Sequence, residues 1–132
     1  VRVYEIHDHE YVAEDIAELR GLRVLLLDVQ GNIHSVYRHS ARLAPGTPYG
    51  CYWDVLATLP CLAGDGTIGI LGLAAGTIAH QMHVYYPSAS MEGWELDPVV
   101  LRAARLHMGL AELERRGALV RDAVGVGVGV CA

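Results

Sequence analysis

Ile68-Gly69-Ile70-Leu71-Gly72-Leu73-Ala74-Ala75-Gly76-Thr77 is an apolar run ending on a glycine turn, and Gly93-Trp94-Glu95-Leu96-Asp97-Pro98 follows about twenty residues on. An apolar strand that turns at Gly72 and enters a helix near Gly76, followed by a second strand ending on acids, is the layout in which an α/β sheet holds a nucleoside. Neither glycine carries a Cβ, so both tolerate unusual φ/ψ and bring bare backbone close to a ligand. The second strand, read over 89–96, ends on acids. Glu95 at its tip can accept two hydrogen bonds from a ribose diol lying across the sheet's crevice.

Working outward, residues 68–71 read as a strand, 77–85 as a helix, 89–96 as a strand and 98–116 as a helix with Pro98 in its first turn. This β-α-β-α order implies a parallel sheet with right-handed crossovers and ligands at the strands' C-terminal ends. Residues 118–121 are a possible third strand. Residues 124–130 alternate Val with Gly, which leaves one face of any strand bare and reads as a low-complexity tail. Upstream, residues 1–6 alternate as a short strand, and 11–19 show helical spacing that ends against Gly21. Residues 23–28 and 33–37 flank the turn residues Gln30-Gly31-Asn32 as a hairpin. After a Pro/Gly loop over 43–50, a short helix over 52–59 is expected to stop at Pro60, with 63–66 as further punctuation. The expected fold is α/β. An N-terminal β-hairpin region (1–62) precedes the first β-α-β-α part of a Rossmann-like parallel sheet (63–123), incomplete as it stands, and a Val/Gly tail (124–132).

The chain has 132 residues, enough for one domain with a real core. A 52% apolar fraction against 19% charged residues marks a folded protein. All 10 basic residues are arginine and they are scattered, and the net charge is −5, so no basic patch recruits a phosphate backbone and nucleic acid is not an expected partner. The 3 cysteines, Cys51, Cys61 and Cys131, form no C-x-x-C and follow no secretory segment, which points to a reducing compartment. The longest apolar stretch, about twelve residues around 68–79, is shorter than the roughly twenty that span a bilayer, so no membrane association is expected. The expected location is the cytoplasm, with a chloroplast after loss of a transit peptide as the alternative, because Val1 is not an initiator Met.

The loop lacks the dinucleotide fingerprint. G-x-G-x-x-G would need glycine where Ala74 and Thr77 stand, so close contact with a pyrophosphate is poorly provided for. S-adenosylmethionine and its decarboxylated form fit better, since they need a ribose acceptor and a close backbone turn but no phosphate cradle. A purely structural role remains open, because Gly/Ala-rich strand-to-helix turns also occur for packing alone.

Four ordered segments resemble a known family: Leu25-Leu26-Leu27-Asp28 with Gly31-Asn32-Ile33-His34-Ser35, then Tyr52-Trp53-Asp54-Val55-Leu56-Ala57-Thr58-Leu59-Pro60, then the glycine loop, then Gly93 to Pro98. Together they are similar to the spermidine synthase-like branch of the class I methyltransferase fold, notably its plant members, over roughly residues 22 to 123. The resemblance implies an N-terminal β-hairpin region over the active site and a Rossmann-like domain binding S-adenosylmethionine or decarboxylated S-adenosylmethionine. It places Gly72, Ala74 and Gly76 where the loop passes the nucleoside, Glu95 on the ribose hydroxyls, and Asp122 where an acid contacts the adenine amino group. Departures accompany it. Ala75 stands where aminopropyltransferases carry the acid that holds the donor's ammonium, and His34 and Trp53 stand where they usually show Gln. The chain also ends before the strand that carries their acceptor base, so no aminopropyl transfer is expected.

The alternative function is a non-catalytic remnant that acts as an oligomerisation or interaction module. Two strands from a larger sheet would leave the second strand's outer edge and the helices' apolar faces without partners, so a homo-oligomer is expected. No metal site is expected. His7-Asp8-His9-Glu10 offers ligands only in pairs, and His80 and His83, three apart on one helix, have no acidic or Cys partner nearby in sequence. No catalytic nucleophile is recognised, since Ser35, Ser40 and the cysteines lack a context such as G-x-S-x-G.

Overall fold

A computed structural model describes residues 1–5, 22–27, 32–38 and 48–122. The helix read over 11–19, the His7 to Glu10 segment and the Val/Gly tail lie outside the described residues. The chain is mixed α/β with two three-stranded sheets.

The first sheet is antiparallel: β1 (Arg2–Glu5), β2 (Leu22–Leu26) and β3 (Ile33–Arg38), in that order. The hairpin reading of β2 and β3 holds, with an irregularity in the pairing between Leu25 and Leu26. Two short helices follow, α1 (Tyr52–Leu56) and α2 (Pro60–Ala63). Pro60 does not simply stop a helix, as expected. It starts one, because the missing N–H of a helix's first residue has no partner to lose.

The second sheet is parallel, with β4 (Ile68–Leu71), β5 (Met91–Glu95) and β6 (Leu119–Asp122) side by side in sequence order. The helix α3 (Thr77–Tyr85) connects β4 to β5, and α4 (Pro98–His107) and α5 (Leu110–Arg115) connect β5 to β6. The possible third strand is therefore present. It pairs along the edge of β5 that the sequence reading leaves open, so among the described residues the edge without a partner strand beside the glycine loop is that of β4.

The single helix read over 98–116 is two helices. Helical spacing of apolar residues continues across the break, but Gly109 has φ +71°, and a Cβ there would run into the ring of Tyr37 from β3. Only glycine lets the hairpin sheet approach this closely. Beside the break, the half-buried His80 of α3 donates from Nε2 to the Met108 carbonyl at 3.0 Å, satisfying a group that the end of α4 would otherwise leave without a partner. Arg105 of α4 grips Glu114 of α5 with its Nη2 at 2.8 Å, holding the two helices together on the surface.

Leu25 of the hairpin sheet belongs to the same apolar cluster as Leu73, Met82, Met91, Leu101, Met108, Leu110 and Leu113. The two sheets thus share one core, in which each fully buried Leu or Met contributes about 1.5–3 kcal/mol. A second cluster joins Leu22, Val24 and Val36 to Trp53 of α1. In the parallel sheet Ile68, Ile70, Met91 and Val120 take the face turned to this core. Gly69, Leu71, Glu92, Trp94 and Arg121 take the other face, where the Trp94 ring borders Gly69, Arg121 pairs with Glu92, and Leu71 is 83% exposed.

Candidate functional site

At the carboxyl end of β4 the backbone passes through three left-handed positions within five residues: Gly72 (φ +71°), Ala74 (φ +50°) and Gly76 (φ +84°). Alanine pays about 1–2 kcal/mol for that conformation, so the contacts around it must over-determine the loop. Four consecutive amides supply them. Leu73 N–H donates to the Trp94 carbonyl at 2.9 Å, Ala74 N–H to Glu95 Oε2 at 2.8 Å, Ala75 N–H to Ser35 Oγ at 3.0 Å and Gly76 N–H to the Leu73 carbonyl at 2.9 Å. Thr77, first residue of α3, locks the same loop to β3: its Oγ1 accepts from Val36 N–H at 2.8 Å and donates to the Val36 carbonyl at 3.0 Å.

Glu95 lies at the tip of β5, facing this loop. Besides Ala74 N–H on Oε2, it accepts Asp97 N–H on Oε1 at 3.0 Å. A carboxylate has about four lone-pair sites, so one on each oxygen is left for a ligand. Asp97 caps α4, accepting Val99 N–H at 2.8 Å, with Pro98 in the first turn as its sequence position predicts. Asp122, at the end of β6, is the register partner of Glu95, so the two carboxylates stand on neighbouring strand ends. Leu96, between Glu95 and Asp97, is 69% exposed.

All five residues named from sequence, Gly72, Ala74, Gly76, Glu95 and Asp122, therefore gather at the carboxyl end of the parallel sheet. They differ in what they present. A Cβ on Gly72 would meet nothing within 4 Å, so this glycine opens outward. Gly76 is buried, and a Cβ on it would meet Leu110 Cδ1 at 3.3 Å, so it serves the turn and the packing of α5. Ala75 is 1% exposed and belongs to the core. Gly93 matters in a way the motif alone does not reveal: a Cβ there would meet Leu73 Cδ2 at 2.8 Å, so its bareness lets the loop's one large side chain pack under the sheet. The sequence carries no local signal for Ser35 and Thr77 as loop clamps, because each bond joins residues about forty apart in the chain.

Other polar groups have structural roles. Asp54 of α1 accepts Tyr49 N–H on Oδ2 at 2.9 Å, Gly50 N–H at 2.7 Å, Cys51 N–H at 3.2 Å and Gln81 Nε2 of α3 at 2.5 Å. Burial pushes its carboxyl up, but these hydrogen bonds, Tyr49 and Gln81 foremost, outweigh burial and hold it below the usual range. Trp53 is a core residue. Burial drives the His80 imidazole down to about 4, with the positive fields of His83 and Arg116 adding to it and the bond to Met108 opposing it, so it is neutral at pH 7. Among the described residues no three His, Cys, Asp or Glu side chains converge on a metal position, and no helix is long and apolar enough to cross a membrane. A separate cavity of about 510 Å³, lined by Val3, Arg23, Arg102 and Leu106 among others, contains none of the five named residues. No protein-family model matches the chain, and comparison with curated proteins and with solved structures finds no match.

Proposed function

We propose that the chain is a Rossmann-like, class I methyltransferase-type protein of the spermidine synthase-like kind, and that it binds S-adenosylmethionine or a related sulfur nucleoside at the carboxyl ends of β4, β5 and β6. The observation that carries this reading is the pairing of Glu95 with a glycine loop whose amides are spent internally. A loop that cradles phosphate must turn free N–H groups toward the anion. Here the amides of residues 73–76 donate to Trp94, Glu95, Ser35 and Leu73 instead, which favours a phosphate-free nucleoside over a dinucleotide. The free lone pairs of Glu95 would take the ribose hydroxyls, Gly72 would give the open backbone approach, and Asp122 would meet the adenine amino group. The sheet supports the position: β4, β5 and β6 are parallel, and in open α/β sheets ligands lie beyond the carboxyl ends of the strands.

Aminopropyl transfer is not part of the proposal. The donor's ammonium needs a carboxylate in the loop, and the side chain at position 75 is a methyl group turned into the core. Isothermal titration with S-adenosylmethionine, methylthioadenosine and NAD tests the reading. Heat with the sulfur nucleosides and none with NAD is expected; no heat with either sulfur nucleoside, or preference for NAD, sinks it. Glu95→Ala should weaken whatever binding is seen by about 1–3 kcal/mol, because the ribose hydroxyl pair would lose its acceptor.

A further inference from the structure

We propose that the cavity between the hairpin sheet and the outer face of α4 binds a small amphipathic monocarboxylate, with its carboxylate on Arg102 and its apolar body along α4. Val100, Leu101 and Ala104 turn one side of this helix into the core. Val99, Arg102, Ala103 and Leu106 form a second stripe, at helical spacing, that lines the cavity of about 510 Å³ together with Val3 of β1 and Arg23 of β2. A helix that packs on one side carries polar residues on the other. Here α4 instead exposes Val99 (53%) and Leu106 (68%), with Arg102 between them. From Val99 to Leu106 the stripe runs about 10 Å at 1.5 Å per residue, the length of an aliphatic chain such as that of octanoate. The volume lies in the range of small-molecule sites.

Charge decides the class of ligand. In a chain of net charge −5, the described residues that line this cavity include no acid. The neighbouring arginines are engaged: Arg105 pairs with Glu114, and Arg115 and Arg116 pair with Glu112. Arg102 has no hydrogen-bond or ion-pair partner among the described residues. Across the cavity Arg23 is anchored to α4, its Nη1 donating to the His107 carbonyl at 2.9 Å, so a second cationic side chain is fixed in the wall. A guanidinium presents a planar fork of donors that matches the two oxygens of a carboxylate. One cation without a partner matches one negative charge. A dianion such as a phosphomonoester would bring a charge without a counterpart against apolar walls, and a neutral ligand would cover Arg102 without pairing it. None of the residues assigned to the nucleoside lines this cavity, so the proposal does not rest on that reading.

Titration of the isotope-labelled full chain with octanoate, octanol and acetate at pH 7, read by amide chemical shifts, tests it. Octanoate should shift the amides of Val3, Arg23, Arg102, Ala103 and Leu106 saturably, with a dissociation constant of about 1 mM or lower. Octanol lacks the charge and acetate lacks the apolar body, so each should bind there at least about tenfold more weakly. Arg102→Gln exchanges two good helix formers at an exposed position, so it should leave the far-UV circular dichroism spectrum unchanged and weaken octanoate at least about tenfold. No saturable shift at these amides up to about 10 mM octanoate overturns the proposal, as do octanoate shifts confined to Gly72, Glu95 and Asp122. Octanol binding as tightly as octanoate overturns it too. These results are read on the unaltered chain, so they stand whether or not the variant folds. A folded Arg102→Gln chain that binds octanoate like the wild type overturns it as well.

Discussion

Mild acid should loosen the junction of α3, α4 and α5 through one side chain. His80 is held neutral by burial, its imidazole lowered from 6.5 to about 4. In the unfolded chain the ring takes up its proton near 6.5. Between those values the unfolded state binds more protons than the folded one, so stability falls as pH falls, and the loss is complete below about pH 4. At about 1.4 kcal/mol per pH unit the whole gap is worth about 3 kcal/mol, of which about 2 kcal/mol is lost between pH 7 and pH 5. The carboxylate of Asp54, held low in the fold, gives up its contribution only at lower pH, which leaves this window to histidine. Urea unfolding followed by circular dichroism at pH 7 and pH 5, in the wild type and in His80→Gln, isolates the effect. The Gln amide can still donate to the Met108 carbonyl but does not titrate. The wild type should lose about 2 kcal/mol more than the variant over that window. Equal losses in the two proteins would refute the reasoning.

Ala74→Gly should relieve the positive φ and raise Tm by about 3 °C in a thermal melt, net of the extra freedom glycine gives the unfolded chain. Gly109→Ala should cost about 2–4 kcal/mol in denaturant titration, because it combines a left-handed backbone with a clash against the Tyr37 ring. Ser35→Ala should cost about 1–3 kcal/mol by stranding the buried Ala75 N–H, and Ser35→Thr, which keeps the hydroxyl, should recover part of that loss in the same titration.

Much of the fold is legible because the apolar periods are local. The run 68–71 reads as a short apolar strand, Gly72 and Pro98 mark the turns on either side of α3 and β5, and the alternation around Gln30-Gly31-Asn32 declares a hairpin even though residues 28–31 lie outside the described residues. What is not legible depends on distant partners. Nothing near Gly109 says that the helix must break there, since the reason is Tyr37, more than seventy residues earlier in the chain. Pro60 is ambiguous between the end of one helix and the start of the next, and the structure uses it for the start. The candidate site divides the same way. Its members follow from strand ends and spacing, whereas the spending of its amides on Ser35, Glu95 and Trp94 emerges only when the two sheets are brought together. That internal closure is what separates a nucleoside reading from a dinucleotide one.

Chemical-shift mapping of the isotope-labelled chain during titration with methylthioadenosine tests the central claim most directly, because it reports where the nucleoside sits as well as whether it binds. The largest shifts are predicted at the amides of Gly72, Ala74, Glu95, Leu96 and Asp122, at the carboxyl ends of β4, β5 and β6. No shifts at all, or shifts confined to the separate cavity around Val3, Arg102 and Leu106, would contradict it.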